Sequence, residues 1–579
     1  MTHKLIIAEK PSVAKSIASA LGAKSGADGC FQGNGLIVSW CVGHLVSPMD
    51  AAGYDERFKK WRYDDLPILP EPFRYVPAPG KEDAFENLRT LMNRPDVDTV
   101  VNACDAGREG ELIFRLVYEM TGCKKPVERL WISSMEDMAI REGFSDLRPG
   151  AEYDSLYHSA LCRQKADWLV GINATRLFSV LYHRTLNVGR VQTPTLAMLA
   201  ERDGKIMLFQ KEKYHHVRLQ VDGAEAVSEK IVSAEDAQTV QAACSGTSAV
   251  CTSVTREKKK EQPPKLYDLN TLQREANRIF GYTAKQTLDY AQSLYEKKLL
   301  TYPRTDSRYL TPDMAETASC VIHLAAKVPP FDGCSSFFPL VELMVSDKDV
   351  SDHHAIIPTE QFVDLTHMTI DERRIYDLVV RRFLAVLYPP CEYEQTEITV
   401  RAGEELFTAH GNVIKEAGWR AVYENLDGGM EADPEDAGGD GSSAAGQILP
   451  DLKEGDVLQG ISFAMTEGKT KPPAHFNEAT LLSAMENPVA YMESQDKAMA
   501  RTLGETGGLG TVATRADIIE KLFSSFLLEK KGKDILLTSK ARQLLELVPE
   551  DLKKPELTAD WEMKLSRIAR GELSRTAFM

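Results

Sequence analysis

The sequence TVVNACDAGREGELIFRLVYEM, residues 99–120, decides the fold of the amino-terminal part of this chain. Its first six residues, 99–104, are typical of a strand buried in a parallel sheet. The tight turn Asp105-Ala106-Gly107 follows, and the apolar spacing then predicts an amphipathic helix to about Met120. Strand–turn–helix units of this kind build α/β sheets that bind ligands at the carboxyl ends of the strands.

A second unit of the same kind begins the chain. Residues 5–8 predict a buried strand, and residues 13–21 predict a helix. Glu9 therefore follows one buried strand, as Asp105 follows the other. If the two strands are neighbours in one sheet, the two carboxylates converge at its carboxyl edge.

Glu109 lies four residues after Asp105, at the start of the predicted helix. Together with Glu9, these acids would form an oxygen-ligand site suited to Mg²⁺, which keeps several waters and engages phosphate. The alternative is that Glu109 and Glu111 are first-turn acids that interact favourably with the helix dipole. Spacing alone leaves both interpretations open.

The segment LLTYPRTDSR, residues 299–308, contains a second candidate site. A capping box at residues 283–286 predicts a helix before it. Pro303 favours an extended conformation at Tyr302, and Arg304 then projects to the same face two residues on. A tyrosine oxygen beside a guanidinium suits attack on a phosphodiester, because the guanidinium binds phosphate and stabilises developing charge. The alternative is an ordinary tyrosine packed at a strand end.

A histidine pair, His353 and His354, is a third candidate, within SDHHAIIPT at residues 351–359. Adjacent residues on a strand point to opposite faces, so we expect at most one of the two to face a site. The alternative is one surface histidine and one packed histidine.

Two further segments have the character of phosphate-contacting surfaces, GRVQTPT at residues 189–195 and GGLGTVATR at residues 507–515. The second leads into a predicted helix, whose N-terminal N–H groups can receive a phosphate. The alternative is a glycine-rich loop without a ligand.

Length and composition bound the class of protein. At roughly 150 residues per domain, 579 residues indicate about three to five domains. Fractions of 43% hydrophobic and 27% charged residues exclude collagen-like, wholly disordered and disulfide-scaffold proteins. The net charge of −16 argues at first sight against a nucleic-acid partner, but residues 424–446 hold seven acids and no basic residue, which leaves −9 for the rest. We expect a flexible acidic loop at residues 424–446 and, at the basic stretch 256–265 with its proline pair, a break between domains.

The sequence also indicates which cofactors the protein does not use and in which compartment it is expected. The 10 cysteines include no Cys-x-x-Cys pair, so we expect reduced, mostly buried thiols and no zinc. Gly468-Lys469-Thr470 is similar to the end of a Walker A motif, but Phe463 stands where the required glycine would be, so we expect no use of ATP. We find no signal peptide or membrane span in the sequence, and we expect a cytoplasmic protein.

Taken together, the motifs resemble those of the type IA DNA topoisomerases, and within them the bacterial topoisomerase III branch. They run in the family's order and cover nearly the whole chain. The matching segments are LIIAEKPSVAKSIA (5–18), SWCVGHL (39–45), KKWRYDDLPILP (59–70), ACDAGREGELI (103–113), GRVQTPTL (189–196), LLTYPRTDSRYL (299–310), HHAIIPT (353–359), HFNEATLLSAME (475–486) and GLGTVATRADIIEKL (508–522).

The resemblance implies a multidomain α/β and α+β fold, with a toprim (Rossmann-like) domain plus three further domains that form a toroid around a central DNA-sized hole. Two of those domains are each built from two separate stretches. The implied boundaries are the toprim domain (I) at 1–155, domain IV at 156–211 and 468–579, the arch (domain II) at 212–262 and 390–467, and domain III with the catalytic tyrosine at 263–389.

The resemblance also implies the chemistry. Tyr302 would cleave one DNA strand through a transient 5′-phosphotyrosine, and religation would follow passage of another strand or duplex, so that negative supercoils are relaxed and DNA is decatenated without ATP. Arg304 and His353 would assist at the scissile phosphate, and Glu9 and Lys10 would act near the leaving 3′ oxygen. Contacts with DNA are implied at Arg190, Gln192, Lys298, Arg308, Thr511 and Arg515.

One departure from the family concerns the metal. The family's Asp-x-Asp-x-Glu motif is Asp105-Ala106-Gly107-Arg108-Glu109 here, with glycine in place of the second acid. A glycine cannot ligate through a side chain. We therefore expect one Mg²⁺ rather than two, held by Glu9 and Asp105, with Glu109 as a third candidate ligand.

Two other functions are compatible with a toprim domain. A non-cleaving protein that binds single-stranded DNA is favoured by Gly107, whereas a toprim nuclease would hydrolyse DNA without a covalent intermediate. Tyr302 and Arg304 favour the topoisomerase, since a binding protein would not require them. We expect a nucleoid-associated monomer that binds single-stranded DNA, and DNA with single-stranded regions, in a salt-sensitive basic groove. The sequence identifies no helicase partner.

Overall fold

A computed structural model of the chain describes residues 2–27, 29–132, 137–221, 224–325, 341–350, 353–361, 363, 367–423, 447–494 and 496–579. The predicted acidic loop at residues 424–446 lies outside the described residues. The strands are β1 (His3–Ala8), β2 (Ser25–Ala27), β3 (Cys30–Gly33), β4 (Leu36–Trp40), β5 (Val46–Pro48), β6 (Tyr75–Pro77), β7 (Val97–Ala103), β8 (Val127–Arg129), β9 (Arg148–Pro149), β10 (Lys213–Val221), β11 (Ala224–Ser228), β12 (Ala249–Glu261), β13 (Cys391–Ala402), β14 (Glu405–Glu416), β15 (Val457–Leu458), β16 (Ser462–Lys469), β17 (Leu528–Lys531) and β18 (Asp534–Leu537).

Helices connect and cover these strands. They are α1 (Pro11–Leu21), α2 (Ala51–Tyr54), α3 (Glu82–Met92), α4 (Arg108–Met120), α5 (Asp137–Ser145), α6 (Asp154–Tyr182), α7 (Gln192–Met207), α8 (Ala234–Cys244), α9 (Leu269–Phe280), α10 (Ala284–Glu296), α11 (Ala315–Ala325), α12 (Ile370–Ala385), α13 (Glu478–Glu486), α14 (Lys497–Glu505), α15 (Val512–Ser524), α16 (Ser539–Leu547), α17 (Pro555–Ala569) and α18 (Arg575–Phe578).

The amino-terminal part is built on a seven-stranded sheet in the order β2-β3-β4-β1-β7-β8-β9. Its four central strands, β4, β1, β7 and β8, are parallel, and the flanking pairs are antiparallel. Apolar runs form β1 and β7 because helices cover both faces of a parallel sheet. Ala8 of β1 pairs with Ala103 of β7, so both strands end at the same edge. The two predicted strand–turn–helix units are confirmed.

A second seven-stranded sheet is antiparallel throughout, in the order β15-β12-β13-β14-β11-β10-β16. Its strands come from residues 213–261 and 391–469. The predicted break at residues 256–265 is wrong for residues 256–261, because β12 continues to Glu261 and remains paired with β13 there. The charged side chains of residues 256–261 lie on a part of β12 that is mostly exposed to solvent. An exposed, charged strand has the same composition as a loop.

The chain enters and leaves the second sheet side by side at one of its ends. Lys213 at the start of β10 pairs with Lys469 at the end of β16. Just outside the sheet, the Thr470 N–H donates to the Glu212 carbonyl oxygen at 2.9 Å. This strap, residues 212–213 and 469–470, joins the sheet to the helical part that α7 and α13 belong to.

The largest hydrophobic core lies among α7, α9, α10, α12, α13, α15 and α16. The predicted helix before Tyr302 is α10, which begins with the predicted capping box between Thr283 and Gln286. Its apolar positions Leu288, Ala291 and Leu294 are fully buried in this core. Burial of this stripe fixes the helix, and the segment that carries Tyr302 follows directly from its end.

Two further sequence predictions concern the whole chain. All nine cysteines in the described residues are free thiols and all but Cys320 are buried, which confirms mostly buried, reduced thiols; Cys334 lies outside the described residues. Among the described residues, no helix has both the length and the apolar composition needed to cross a membrane.

Gly110 is the residue that lets α4 approach the turn at Asp105. A Cβ atom placed on Gly110 would overlap the carbonyl oxygen of Asp105. Backbone atoms cannot yield as a flexible side chain does, so the turn itself would have to move.

We expect Gly110→Ala to lower the thermal unfolding temperature, although alanine is the better helix former by about 1 kcal/mol. Gly204→Ala in α7 is the matched control, because no atom lies within 4 Å of a Cβ added there. That variant is expected to unfold at the same or a higher temperature. Equal unfolding temperatures for the two variants would contradict the steric argument.

Candidate active site

Two acids and a lysine converge at the carboxyl edge of the first sheet. Glu9 follows β1 and Asp105 follows β7, and the Lys10 ammonium lies between them. Its Nζ atom is 3.4 Å from Glu9 Oε1 and 3.2 Å from Asp105 Oδ2. The structure therefore brings the two acids together as the strand positions predict.

Burial and mutual charge set the protonation of this group. Burial, and then the negative charge of Asp105, raise the pKa of Glu9 to about 7. Burial opposes ionisation of Asp105 too, but the hydrogen bond from His353 and the charge of Lys10 hold its pKa well below its usual range. Burial also disfavours the charge on Lys10, yet Asp105 and Glu9 raise the pKa of Lys10 above its ordinary value. Near neutral pH, Glu9 is thus the carboxyl group that can carry a proton.

The segment of Tyr302 is fixed by its pairing with the histidine segment. The Thr301 N–H donates to the Ile357 carbonyl oxygen at 3.0 Å, and the Thr305 hydroxyl donates to the His353 carbonyl oxygen at 2.8 Å. The two chains therefore run side by side, and the rings of Tyr302 and His353 lie 4.5 Å apart between centroids. His354 contacts the Ala355 carbonyl oxygen instead. As expected, one histidine of the pair faces the site.

Three contacts join this segment and the end of α10 to the first sheet and α1, across about 250 to 290 residues of sequence. Lys10 Nζ lies 3.8 Å from the centroid of the Tyr302 ring. His353 Nε2 lies 3.0 Å from Asp105 Oδ2. The hydroxyls of Ser12 and Tyr295 are 3.2 Å apart. Two distant parts of the chain thus form one site.

Arg304, two residues after Tyr302, is half-buried. Within the described part of the chain, its guanidinium has no hydrogen-bond or ion-pair partner. A guanidinium in that state can bind a phosphate without first losing another partner.

The hydroxyl of Tyr302 is affected by burial and by a nearby charge. Burial raises the pKa of Tyr302, and the positive charge of Lys10 opposes that rise.

Glu9 and Asp105 are suited to hold Mg²⁺. Asp105 Oδ1 is buried without a hydrogen-bond partner, so one oxygen remains for a ligand. Glu109 does not join them, because its carboxylate lies 3.2 Å from Arg163 Nη1 and 3.7 Å from His44 Nε2. Among the described residues, no group of three or more His, Cys, Asp or Glu side chains has the arrangement of a metal site. The protein therefore offers two carboxylates, which leaves room for the waters that Mg²⁺ retains.

The residues predicted to contact DNA fall into two sets. Lys298 is exposed, Gln192 begins α7, and Thr511 caps α15. Arg190 is instead buried, in a two-pronged pair with Asp167 at 2.8 and 3.1 Å, and Arg308 Nε donates to the Leu266 carbonyl oxygen at 3.2 Å.

Arg515 lies wholly in the interior. Its guanidinium donates to the carbonyl oxygens of Leu509 and Gly510, both at 3.2 Å, and of Gly507. These hydrogen bonds stabilise the conformation of the glycine-rich loop at residues 507–510. Its contact with DNA stays a prediction.

Sequence reasoning missed a group of buried polar side chains that holds the backbone at Asp105. Glu111 and Arg129 are each 1% exposed and form an ion pair of 2.7 Å. The Arg129 guanidinium also donates to the carbonyl oxygens of Cys104 and Asp105, both at 2.7 Å. Asn102 joins them by donating to Glu111 at 2.8 Å. An asparagine inside the apolar run of β7 was the available signal, because a buried amide requires polar partners.

Comparison with known proteins agrees with this fold. Residues 151–579 match the sequence family described as DNA topoisomerase, and residues 4–135 match the Toprim domain. The chain belongs to the DNA topoisomerase family, and it is of type IA, as predicted. The Toprim domain generally binds Mg²⁺, and a toroid built from this domain and further domains is consistent with the family.

Relatives place the chain within the topoisomerase III branch. It is 47% identical to DNA topoisomerase 3 of Bacillus subtilis over 592 aligned residues, which cover 100% of this chain and 80% of that protein. It is 46% identical to DNA topoisomerase 3 of Bacillus licheniformis, with the same coverage. Full-length topoisomerase I of Thermotoga maritima shares the fold, with a TM-score of 0.71 at 24% identity over 99% of this chain and 88% of that one.

The raised pKa of Glu9 predicts a pH-dependent stability. A carboxyl whose pKa is raised in the folded state contributes stability that is present below its ordinary pKa and is lost as pH rises through about 7. Glu9→Gln cannot ionise, so we expect it to exceed the parent protein in stability by about 1–3 kcal/mol near pH 8.5 and not near pH 5. Thermal unfolding with a metal chelator at both pH values tests this. The same difference at both values would show that Glu9 does not titrate in this range.

Proposed function

We propose that Tyr302 is the nucleophile with which this topoisomerase opens one DNA strand. The observation that carries the proposal is the contact of the Tyr302 ring with Lys10 and His353, against the acids of the first sheet. The phenolic oxygen would form a bond to the scissile phosphorus, and the bond from phosphorus to the 3′ oxygen would break. One phosphoester replaces another, so the reaction needs no ATP.

The neighbouring side chains are proposed to move protons and stabilise charge. Glu9, with its raised pKa, would give its proton to the leaving 3′ oxygen and take it back on religation. Lys10 favours the phenolate form of Tyr302. Arg304, which has free donors, would hold the scissile phosphate, and His353 would support it from its position on Asp105.

Glu9 and Asp105 are the side chains proposed to hold one Mg²⁺. When bound, the ion would supply positive charge beside the phosphate and the 3′ oxygen. Glu109 is left out of this set because Arg163 and His44 are its partners. Neither ATP nor zinc has a part in the proposed reaction.

The proposed substrate is single-stranded DNA, or duplex DNA with single-stranded regions, bound by one copy of the chain at the nucleoid. The four-domain division with the boundaries given above is kept as part of the proposal. The residues that form the strands of the second sheet, 213–261 and 391–469, nearly coincide in sequence with the two stretches assigned to the arch, 212–262 and 390–467. Strand passage would then require the site to open between the first sheet and the segment of Tyr302, and relaxation and decatenation would follow.

We expect Tyr302→Phe to abolish relaxation of negatively supercoiled plasmid, because no oxygen remains to attack the phosphate. Tyr295→Phe is the matched control, since its ring lies 5.4 Å from that of Tyr302 and it loses only the hydroxyl that meets Ser12. The control is expected to keep activity within several-fold. The assay uses Mg²⁺ without ATP.

Trapping of a labelled 5′ end on the parent protein by denaturant tests the covalent step. Hydrolysis without a trapped end would indicate a nuclease, and binding without cleavage would indicate a single-stranded DNA-binding protein. Relaxation retained by Tyr302→Phe would exclude Tyr302 as the nucleophile.

The single-ion proposal is tested by replacing the glycine that stands at the second acid position. Gly107 has an extended backbone, with φ −168° and ψ 175°, which any residue can adopt, and it caps α4. We expect Gly107→Asp to show a second Mg²⁺ site or markedly tighter binding in a calorimetric titration. Gly107→Asn is the control, because it offers the same helix cap without the charge. Two tight sites of similar affinity in the parent protein would refute the proposal.

A further inference from the structure

The loop after α2 carries a short stretch in which cations and aromatic rings alternate: Lys60-Trp61-Arg62-Tyr63. All four residues are exposed, and the rings of Trp61 and Tyr63 are 42% and 59% accessible. The site described above uses none of them. We call residues 60–63 the basic-aromatic ribbon.

The backbone of the ribbon sorts its side chains onto two sides. Lys60 has φ −100° and ψ 131°, and Arg62 has φ −134° and ψ 146°, so both are extended. In an extended chain successive side chains point to opposite sides. Lys60 and Arg62 therefore share one side, about 7 Å apart, and Trp61 lies on the other. Tyr63 follows directly, as the first residue of a 3-10 turn, Tyr63–Asp65.

The ribbon is held in place from the protein side. The guanidinium of Arg176, a residue of α6 that is 5% exposed, lies 5.3 Å from the centroid of the Trp61 ring. The same guanidinium donates to the carbonyl oxygen of Phe58 at 2.8 Å, and Phe58 is buried. Farther along the loop, the Ile68 N–H donates to Asn173 of α6 at 2.6 Å. One part of the Trp61 ring is thus anchored while the rest remains accessible.

The charges of the ribbon are available to a ligand. The preceding cations of the loop are paired, Lys59 with Glu56 at 2.7 Å and Arg57 with Asp55 at 3.3 Å. Within the described part of the chain, the side chains of Lys60 and Arg62 have no ion-pair or hydrogen-bond partner. In a chain of net charge −16, two cations two positions apart, with unpaired side chains and two exposed rings beside them, form a local surface for an anion that also has flat apolar faces.

We propose that the basic-aromatic ribbon binds single-stranded nucleic acid, with phosphates on Lys60 and Arg62 and bases stacked on Trp61 and Tyr63. A duplex fits this surface less well, because its bases are already stacked on one another. The proposal rests on the proposed function, in which single-stranded DNA is the substrate. It adds a contact outside the reaction site and assigns it to named side chains.

The ribbon lies at a distance from the reaction site that a substrate strand can span. Arg176, which anchors it, is thirteen positions along α6 from Arg163, which contacts Glu109 at the start of α4. At 1.5 Å per residue this is about 20 Å along the helix. Only oligonucleotides longer than those that fill the reaction site are expected to reach the ribbon.

The first experiment measures binding of fluorescent oligothymidylates of about 4 and about 25 nucleotides to the full chain, because only the longer one spans the distance of about 20 Å to the ribbon. Trp61→Ala/Tyr63→Ala is expected to bind the longer one about 10-fold more weakly and the shorter one unchanged. Tyr182→Ala/Phe526→Ala, which removes two exposed rings elsewhere, is the control. Trp61→Phe/Tyr63→Phe keeps the rings and is expected to restore binding, whereas a loss of the same size would overturn stacking.

The second experiment measures the salt dependence of the same binding. Loss of two phosphate contacts on a single strand is expected to reduce the slope of log K against log salt by about 1.4 in Lys60→Ala/Arg62→Ala. Lys531→Ala/Lys533→Ala is the matched control, because these exposed lysines on the β17–β18 hairpin also stand two positions apart and have no described partner. Equal slopes for the two variants would overturn the proposal. An equal loss of duplex and single-strand affinity would overturn the preference for single strands.

The outcomes separate this inference from the proposed reaction. At saturating concentrations of the longer oligonucleotide, ribbon variants are expected to cleave it and to trap its 5′ end as the parent protein does. If Tyr302→Phe abolishes cleavage while the ribbon variants bind the longer strand normally, the ribbon proposal fails and the reaction stands. If Tyr302→Phe retains activity while the ribbon variants lose binding, the reaction proposal fails and the surface stands.

Discussion

The ammonium of Lys10 is the charge on which the arrangement of the site depends. Two buried carboxylates would repel each other at the edge of the first sheet, and a buried charge is stable only with a partner. Lys10 Nζ lies within 3.4 Å of both of them and also against the Tyr302 ring. One cation thus offsets part of the negative charge of the acids that are suited to hold a metal, and it also touches the proposed nucleophile. The position of Tyr302 relative to the first sheet follows from this contact and from that of His353 with Asp105.

Asp105 is held in place independently of Tyr302. Asp105 rests on a buried group of its own, in which Arg129 donates to the carbonyl oxygens of Cys104 and Asp105 and is paired with Glu111. This group lies within the first sheet and α4, so it is independent of the segment that carries Tyr302. Separation of the two halves would break the contacts of Lys10 and His353 with their partners but would leave the carboxylates in place. The half of the site that holds Glu9 and Asp105 is therefore preorganised.

The sequence predicted those parts of the site that local pattern controls. Strands 5–8 and 99–104 were visible as apolar runs, and parallel pairing then required Glu9 and Asp105 to meet. The proximity of Tyr302 and His353 depends on pairing across some fifty residues, which only the resemblance could imply. The partners of Glu109 and Arg515 could not be predicted, because an acid or an arginine carries no local sign of which distant group it will meet. Residues 256–261 were misjudged for a related reason, since an exposed, charged edge of a sheet has the composition of a loop.

The strap that joins the second sheet to the helical part restricts how the two can move. At this point two chains lie side by side, with Lys213 opposite Lys469 and a hydrogen bond from Thr470 to Glu212. A pair of bonded strands bends easily out of its own plane, whereas twisting it or sliding one strand along the other would break the bonds. The strap itself therefore yields most easily by bending out of the plane of its two strands. A second connection, at the paired residues Glu261 and Cys391, joins the same sheet to α9 and α12, so any displacement of the sheet has to be accommodated at both places.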